Sequence, residues 1–221
     1  MTLSPLNNSE RTYLERSLKQ VQQDVLRMGT LVEQSFRLSH QCLILRDVQA
    51  AESIIYLEKR IDEYYRQIEL NCASLMTLQS PVAQDLRLLS AFMQLVRDLE
   101  RIGDYAQDIT EMALKLVQYP PHFCMNQIAA MSEHAQLMLA TSLVALADLD
   151  AKAGESIKQL DDVVDDAYEH LYSLLAYQKN VPGVVEPILL LGLIIRHLER
   201  MADHATNIGQ RVSYIVTGQR K

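Results

Sequence analysis

Arg97-Asp98-Leu99-Glu100-Arg101-Ile102-Gly103-Asp104-Tyr105-Ala106-Gln107-Asp108-Ile109 returns near the C-terminus as Arg196-His197-Leu198-Glu199-Arg200-Met201-Ala202-Asp203-His204-Ala205-Thr206-Asn207-Ile208. Both copies read Leu-Glu-Arg, an apolar residue, a small residue and Asp. Each therefore sets two carboxylates four positions apart, which on a helix is one face. The apolar positions Leu88, Phe92, Leu95, Leu99, Ile102, Ala106, Ile109 and Ala113 follow the spacing of a buried helical stripe around the first copy. On a helical wheel Glu100 and Asp104 lie well away from that stripe, so core packing does not place them.

Ser80-Pro81 predicts the start of this helix, with Pro81 at its first position, and Pro120-Pro121 end it by Tyr119. Two helices are predicted before it. The first is capped by Asn8 or Ser9, carries the stripe Leu14, Leu18, Val21, Val25, Met28 and Val32, and runs to about Leu45. After a tight break, Asp47 opens the second, with Ile54, Leu57, Ile61, Tyr65, Ile68, Cys72 and Leu75 facing inward.

The rest of the chain retraces this plan. Residue n laid over n+103 puts Met28 on Met131, Asp47 on Asp150, Glu58 on Asp161 and Asp62 on Asp165. The offset falls to 99 for the third helices, so the second hairpin, turned by Val181-Pro182-Gly183, is four residues shorter. A period of this length is a duplicated domain rather than a solenoid repeat. The fold class predicted is all-α: two tandem, similar three-helix bundles, six helices in a pseudo-two-fold repeat, divided as 1–119 and 120–221.

Composition agrees. Of 221 residues, 48% are apolar and 22% charged, the balance of a folded globular chain, and only 7 Gly and 6 Pro interrupt it. A net charge of −7 argues against nucleic acid, whose binding rests on phosphate neutralisation. Cys42, Cys72 and Cys124 lack metal or disulfide spacing and read as small core residues of a cytoplasmic protein. The N-terminus has no signal-peptide pattern. The apolar run Ile188–Ile195 is too short to cross a membrane.

The second helices add Glu58-x-x-x-Asp62 and Asp161-x-x-x-Asp165, so each bundle has two acidic pairs on adjacent helices. Like charges at this spacing repel unless a cation lies between them. Spacing leaves two readings of that cation. It is internal if Arg97, Arg101, Arg196 and Arg200 pair with Glu100, Asp104, Glu199 and Asp203. It is a metal if the oxygens ligate iron, manganese, magnesium or calcium. His204 is the histidine nearest the row, and Gly103 and Ala202 read as small residues leaving room for a shared ion. Met28, Met93, Met131 and Met201 read as packing, and tyrosines such as Tyr64, Tyr65, Tyr105, Tyr168 and Tyr172 as half-buried rims. No Glu-x-x-His di-iron motif, His-Glu-x-x-His motif, phosphate-cradling loop or nucleophile elbow occurs. A metal-dependent hydrolase or oxidase and a purely structural bundle are the alternatives from other functional classes.

The twice-stated Leu-Glu-Arg-Ile-Gly-Asp-Tyr-Ala motif, with Asp85-Leu86-Arg87 after Pro81 and the hairpins entered at Asp47 and Asp150, resembles the PhoU family over about Tyr13 to Gly218. That resemblance implies a non-enzymatic, homodimeric, cytoplasmic regulator that holds down phosphate uptake and the phosphate-starvation response. Its partners would be the phosphate ABC transporter ATPase and a sensor histidine kinase. It further implies multinuclear metal centres, of iron, manganese, zinc or magnesium, on Glu58, Asp62, Glu100 and Asp104 and on Asp161, Asp165, Glu199 and Asp203. Asn207 in place of a counterpart to Asp108 implies unequal occupancy, and Val184 in place of Asp85 implies different partner contacts in the two halves.

Overall fold

The computed structural model describes residues 8–79, 81–179 and 183–219, and the backbone alone for 8–10 and 153–155. Among the described residues it contains six α-helices and no strand: α1 Asn8–Ile44, α2 Val48–Leu78, α3 Ala83–Leu116, α4 Met125–Asp148, α5 Ala153–Ala176 and α6 Glu186–Thr217. Helices α1, α2 and α3 pack on one another, and so do α4, α5 and α6. The two bundles meet chiefly through α3 against α6, and secondarily through α1 against α4.

The repeat is written into the backbone as well as the side chains. Arg46 and Leu149, related by the 103-residue offset, both adopt the left-handed conformation, with φ of 57° and 51°. Each reverses the chain just before an aspartate. Asp47 caps α2 by accepting hydrogen bonds from the backbone N–H of Gln49 and Ala50 at 3.0 and 3.3 Å. Asp150 accepts from Lys152 N–H at 2.8 Å, tightening the turn two residues farther from its helix.

The predicted stripes of α1 and α2 face the core, with Tyr65 half-buried at the edge. In α3 the predicted stripe is buried except for Leu88, which is only partly enclosed, and Leu89, Val96, Gly103 and Thr110 are enclosed as well, because the helix packs both within its bundle and against α6. One apolar core consequently runs through both bundles. Cys42, Cys72 and Cys124 are free thiols within it, and Met28 and Met131 sit at its centre.

The helix starts differ from the sequence expectation. Val82, extended at ψ 165°, is the cap position of α3, so Pro81 stands outside the helix rather than at its first position. The caps expected at Asn8, Ser9 and Ser80, and the turn residues Val181 and Pro182, fall outside the described side chains or residues. In α6 it is Pro187 that takes the N-terminal proline position. No helix among the described residues is long and apolar enough to cross a membrane.

Candidate functional site

The packing of α2 on α3 puts the first four carboxylates on one side of the molecule. Ile61 of α2 is buried against α3 at Gly103, where an added Cβ would lie 3.3 Å from the Ile61 Cδ1. Gly103 is thus small so that the two helices can approach, not to leave room for an ion. Glu58 and Asp62 flank Ile61, and Glu100 and Asp104 flank Gly103, so the close contact sets one acidic pair opposite the other. The second half redistributes the same volume. Val164 and Ala202, both buried, occupy the positions of Ile61 and Gly103, and Asp161, Asp165, Glu199 and Asp203 surround them.

The electrostatics follow from that convergence. Burial, then the charges of Asp62 and Asp104, raise the Glu58 carboxyl above its ordinary range. Burial and then Asp104 do the same to Glu100, with Asp62 adding to the effect across the groove. Asp104 is raised by burial and by Asp62 and Asp108 against the opposing pull of Arg101. In the second patch burial, then Asp161 and Asp203, raise Asp165, and burial, then Asp203, raise Glu199. Each half therefore senses its own acidic partners across two helices.

Cations within the chain answer part of this charge. Arg101 lies 3.4 Å from Glu100 and 3.1 Å from Asp104, and Arg200 lies 3.3 Å from Asp203. The pair expected between Arg97 and Glu100 is taken over by Arg101, whereas Arg196 does hold Glu199 at 2.7 Å. Lys158 contacts Asp161 at 3.1 Å and Asp162 at 2.9 Å, and Arg66 approaches Asp62 at 3.8 Å. Glu199 Oε2 is buried and accepts no hydrogen bond, in a side chain only 15% exposed, and Arg200 Nε stands off it at 4.0 Å. Among the described residues, no three His, Cys, Asp or Glu side chains close on a point at ligating reach. The donor set fits a hard cation in chemistry, being oxygen-rich, desolvated and mutually repelling, and its members must still draw together to hold one.

His204 and Asn207 belong elsewhere. Both face Asp98 of α3, a carboxylate only 6% exposed, from across the contact between the bundles. His204 Nδ1 lies 2.9 Å from Asp98 Oδ1, Asn207 Nδ2 donates to the same oxygen at 3.5 Å, and Arg211 Nε donates to Oδ2 at 3.0 Å. Arg211 also donates to Gln94. Tyr105 stacks on both His204 and His197, with ring centroids 5.9 and 5.0 Å apart, and His197 lies 3.9 Å from Asp108. Motif reading passed over this polar seam, although the sequence carries a signal for it. The two copies agree at the patch residues and diverge at its positions, pairing Asp98 with His197, Tyr105 with His204, Asp108 with Asn207 and Met112 with Arg211.

A serine–histidine contact elsewhere has no catalytic shape. Ser132 Oγ lies 3.0 Å from His40 Nδ1 between α1 and α4, but Ser132 is only 1% exposed and has no access for a substrate.

The PhoU domain description matches twice, over residues 25–113 and 128–212, one match on each three-helix bundle. The chain belongs to the PhoU family. A Synechocystis relative named phosphate-specific transport system accessory protein PhoU homolog is 66% identical over 216 residues, covering 98% of this chain and 96% of its own. The Pseudomonas aeruginosa PhoU crystal structure superposes with a TM-score of 0.88 at 31% identity, covering 93% of this chain and 99% of that one. The phosphate transport system regulatory protein PhoU of Streptococcus pneumoniae gives 0.86 at 31%, covering 94% and 99%. The PhoU architecture thus extends across both bundles and includes α2, α3, α5 and α6, which carry the patches.

Proposed function

We propose that this PhoU-family chain is a non-enzymatic accessory protein of a phosphate-specific transport system, acting in the cytoplasm as a homodimeric, metal-loaded adaptor. It contacts the transporter ATPase and a sensor histidine kinase, and by doing so holds down phosphate uptake and the starvation response. The accessory role is supported by near full-length similarity to a relative named for that role. Metal loading rests chiefly on one observation: within a patch of mutually repelling carboxylates, Glu199 Oε2 is buried and accepts no hydrogen bond, with Arg200 Nε standing off at 4.0 Å. Glu58, Asp62, Glu100 and Asp104 would hold one centre, and Asp161, Asp165, Glu199 and Asp203 the other. A bound iron, manganese, zinc or magnesium ion supplies the counter-charge there. The chain's own contribution is to present hard oxygen donors on two packed helices and to exclude water from part of each patch.

A second reading, an ion-paired surface without metal, is favoured by Arg101, which lies within 3.4 Å of Glu100 and 3.1 Å of Asp104. The adaptor role is tested by capture from membranes containing the phosphate transporter and the sensor kinase. The full-length protein should retain the ATPase or the kinase in phosphate-replete conditions, and the Glu100→Gln/Glu199→Gln variant should retain less of either. Failure to bind either partner at any phosphate level would contradict the adaptor role. Turnover of phosphorylated substrates would contradict the non-enzymatic one.

A further inference from the structure

Helix α4 is apolar on the side that faces solvent as well as on the side that faces the core. Leu137 and Val144 are 52% and 61% exposed, Ala130 is exposed on the same side, and Ala140 and Thr141 are half-buried between them. The 103-residue repeat marks this as a departure. Ala130, Leu137, Ala140 and Val144 stand where α1 has Arg27, Gln34, Arg37 and Gln41. Four polar positions of the first bundle are apolar in the second, yet none of the four is buried. Val163 of α5 continues the change, 44% exposed on the flank that sets His170 3.5 Å from Gln127 of α4. Its counterpart is Arg60, whose guanidinium lies over the Tyr56 ring. A helix apolar all round is ordinarily covered on every side. We infer that this face of α4 docks a second copy of the chain, with the two α4 helices antiparallel about a two-fold axis at Thr141. The inference rests on the homodimer reading above and adds to it the surface and its register.

Spacing and charge single out a second copy as the occupant. His134, Leu137, Thr141, Val144 and Asp148 recur at alternating steps of three and four, the seam along which one helix packs on another. Reversed about Thr141, that seam complements itself. Leu137 meets the partner's Val144 and His134 meets the partner's Asp148, and the same two contacts recur on the other side of the axis, as an isologous interface requires. Parallel pairing would instead set Asp148 against the partner's Asp148. His134 Nδ1 donates to Ala130 O at 2.7 Å, so Nε2 is the atom presented outward. A carboxylate facing it favours the imidazolium, whose second N–H then serves the partner's Asp148. Between these ends the seam is uncharged: the carboxylates of α4 are Glu133 and Asp148, and the helix contains no Lys or Arg. Its centre thus offers nothing by which to recognise a strongly charged partner, and its two ends are matched to each other.

Sedimentation equilibrium of the full-length protein measures the dimer, and cysteine cross-linking measures its register. Leu137→Gln/Val144→Gln installs the side chains found at Gln34 and Gln41 on exposed positions, so helicity should be unchanged. The dimer dissociation constant should rise about 30-fold or more, the scale of losing one interface hot spot. Asp148→Lys should raise it about 5-fold or more, and His134→Glu/Asp148→Lys, which reverses the pair, should bring it back. Thr141→Cys should cross-link to itself through a short bismaleimide, whereas Gln34→Cys, at the α1 position equivalent to Leu137, should not, the three native thiols being buried. A dimer unmoved by Leu137→Gln/Val144→Gln, or one in which Thr141→Cys fails to cross-link, would overturn the inference and leave the homodimer reading standing. So would loss of transporter ATPase capture by Leu137→Gln/Val144→Gln with the dimer intact, which would assign the face to that partner. An unaltered protein that stays monomeric throughout the micromolar range would overturn both.

Discussion

At the scale of the residue, the patches are held in a state that costs the fold something. Glu58, Glu100, Asp104, Asp165 and Glu199 are all raised by burial, and neighbouring carboxylates add to the shift. An acid raised in the folded state binds its proton more tightly folded than unfolded, so its contribution favours folding at low pH and is lost as pH rises through the folded value. Metal-free protein should therefore gain stability from these five groups as pH falls from neutrality into the upper carboxylate range, before general acid unfolding sets in. Chemical denaturation at several pH values measures this, and a divalent cation should flatten the trend. Removing one like charge with Glu58→Gln should stabilise the metal-free protein by about 0.2–0.5 kcal/mol, the scale of a repulsive i, i+4 pair. The acidic pairs were legible in the sequence because their spacing and duplication are local facts. The seam around Asp98 was not, because His204, Asn207 and Arg211 meet it only across α3 and α6, more than a hundred residues along the chain.

At the scale of the element, helix boundaries and helix spacing are set by single residues. Asp47→Ala removes acceptors for two backbone N–H groups at the start of α2 and should cost about 1 kcal/mol, the usual value of an N-cap. Asp150→Ala should cost less, since Asp150 accepts one hydrogen bond in the turn before α5. Gly103 controls the separation of α2 and α3. Gly103→Leu should destabilise by about 1–3 kcal/mol through overpacking against Ile61, and should reduce metal content by spreading the first patch. Stripe periodicity identified the helices and their inward faces well, because burial imposes it directly. It underestimated α3, since an apolar stripe records that a face is buried without recording how many neighbours bury it. Leu89, Val96 and Thr110 are enclosed as part of a helix serving two bundles. The start of α3 was misplaced for a different reason: a proline fits the first turn of a helix, but also fits the extended segment before one.

At the scale of the molecule, a duplicated bundle has been joined into a single cored body through α3 and α6. Divergence at the joint gives the halves different surfaces, with Asp98 on one and Arg211 on the other. Removing one partner of a fully buried pair costs about 3–5 kcal/mol, and Arg211→Met should fall below that range because Arg211 is partly exposed and His204 and Asn207 still contact Asp98. Asp98→Asn/Arg211→Met should cost less than the sum of the two single changes, which a double-mutant denaturation cycle resolves. Whether the two carboxylate patches hold metal, as proposed, is measured by elemental analysis of full-length protein purified without chelator. The protein should carry metal, and the Glu100→Gln/Asp104→Asn/Glu199→Gln/Asp203→Asn variant should lose most of it with helicity unchanged. Equal metal content in the folded variant, or a metal-free parent that takes up none when supplied with iron, manganese, zinc or magnesium, would contradict the account.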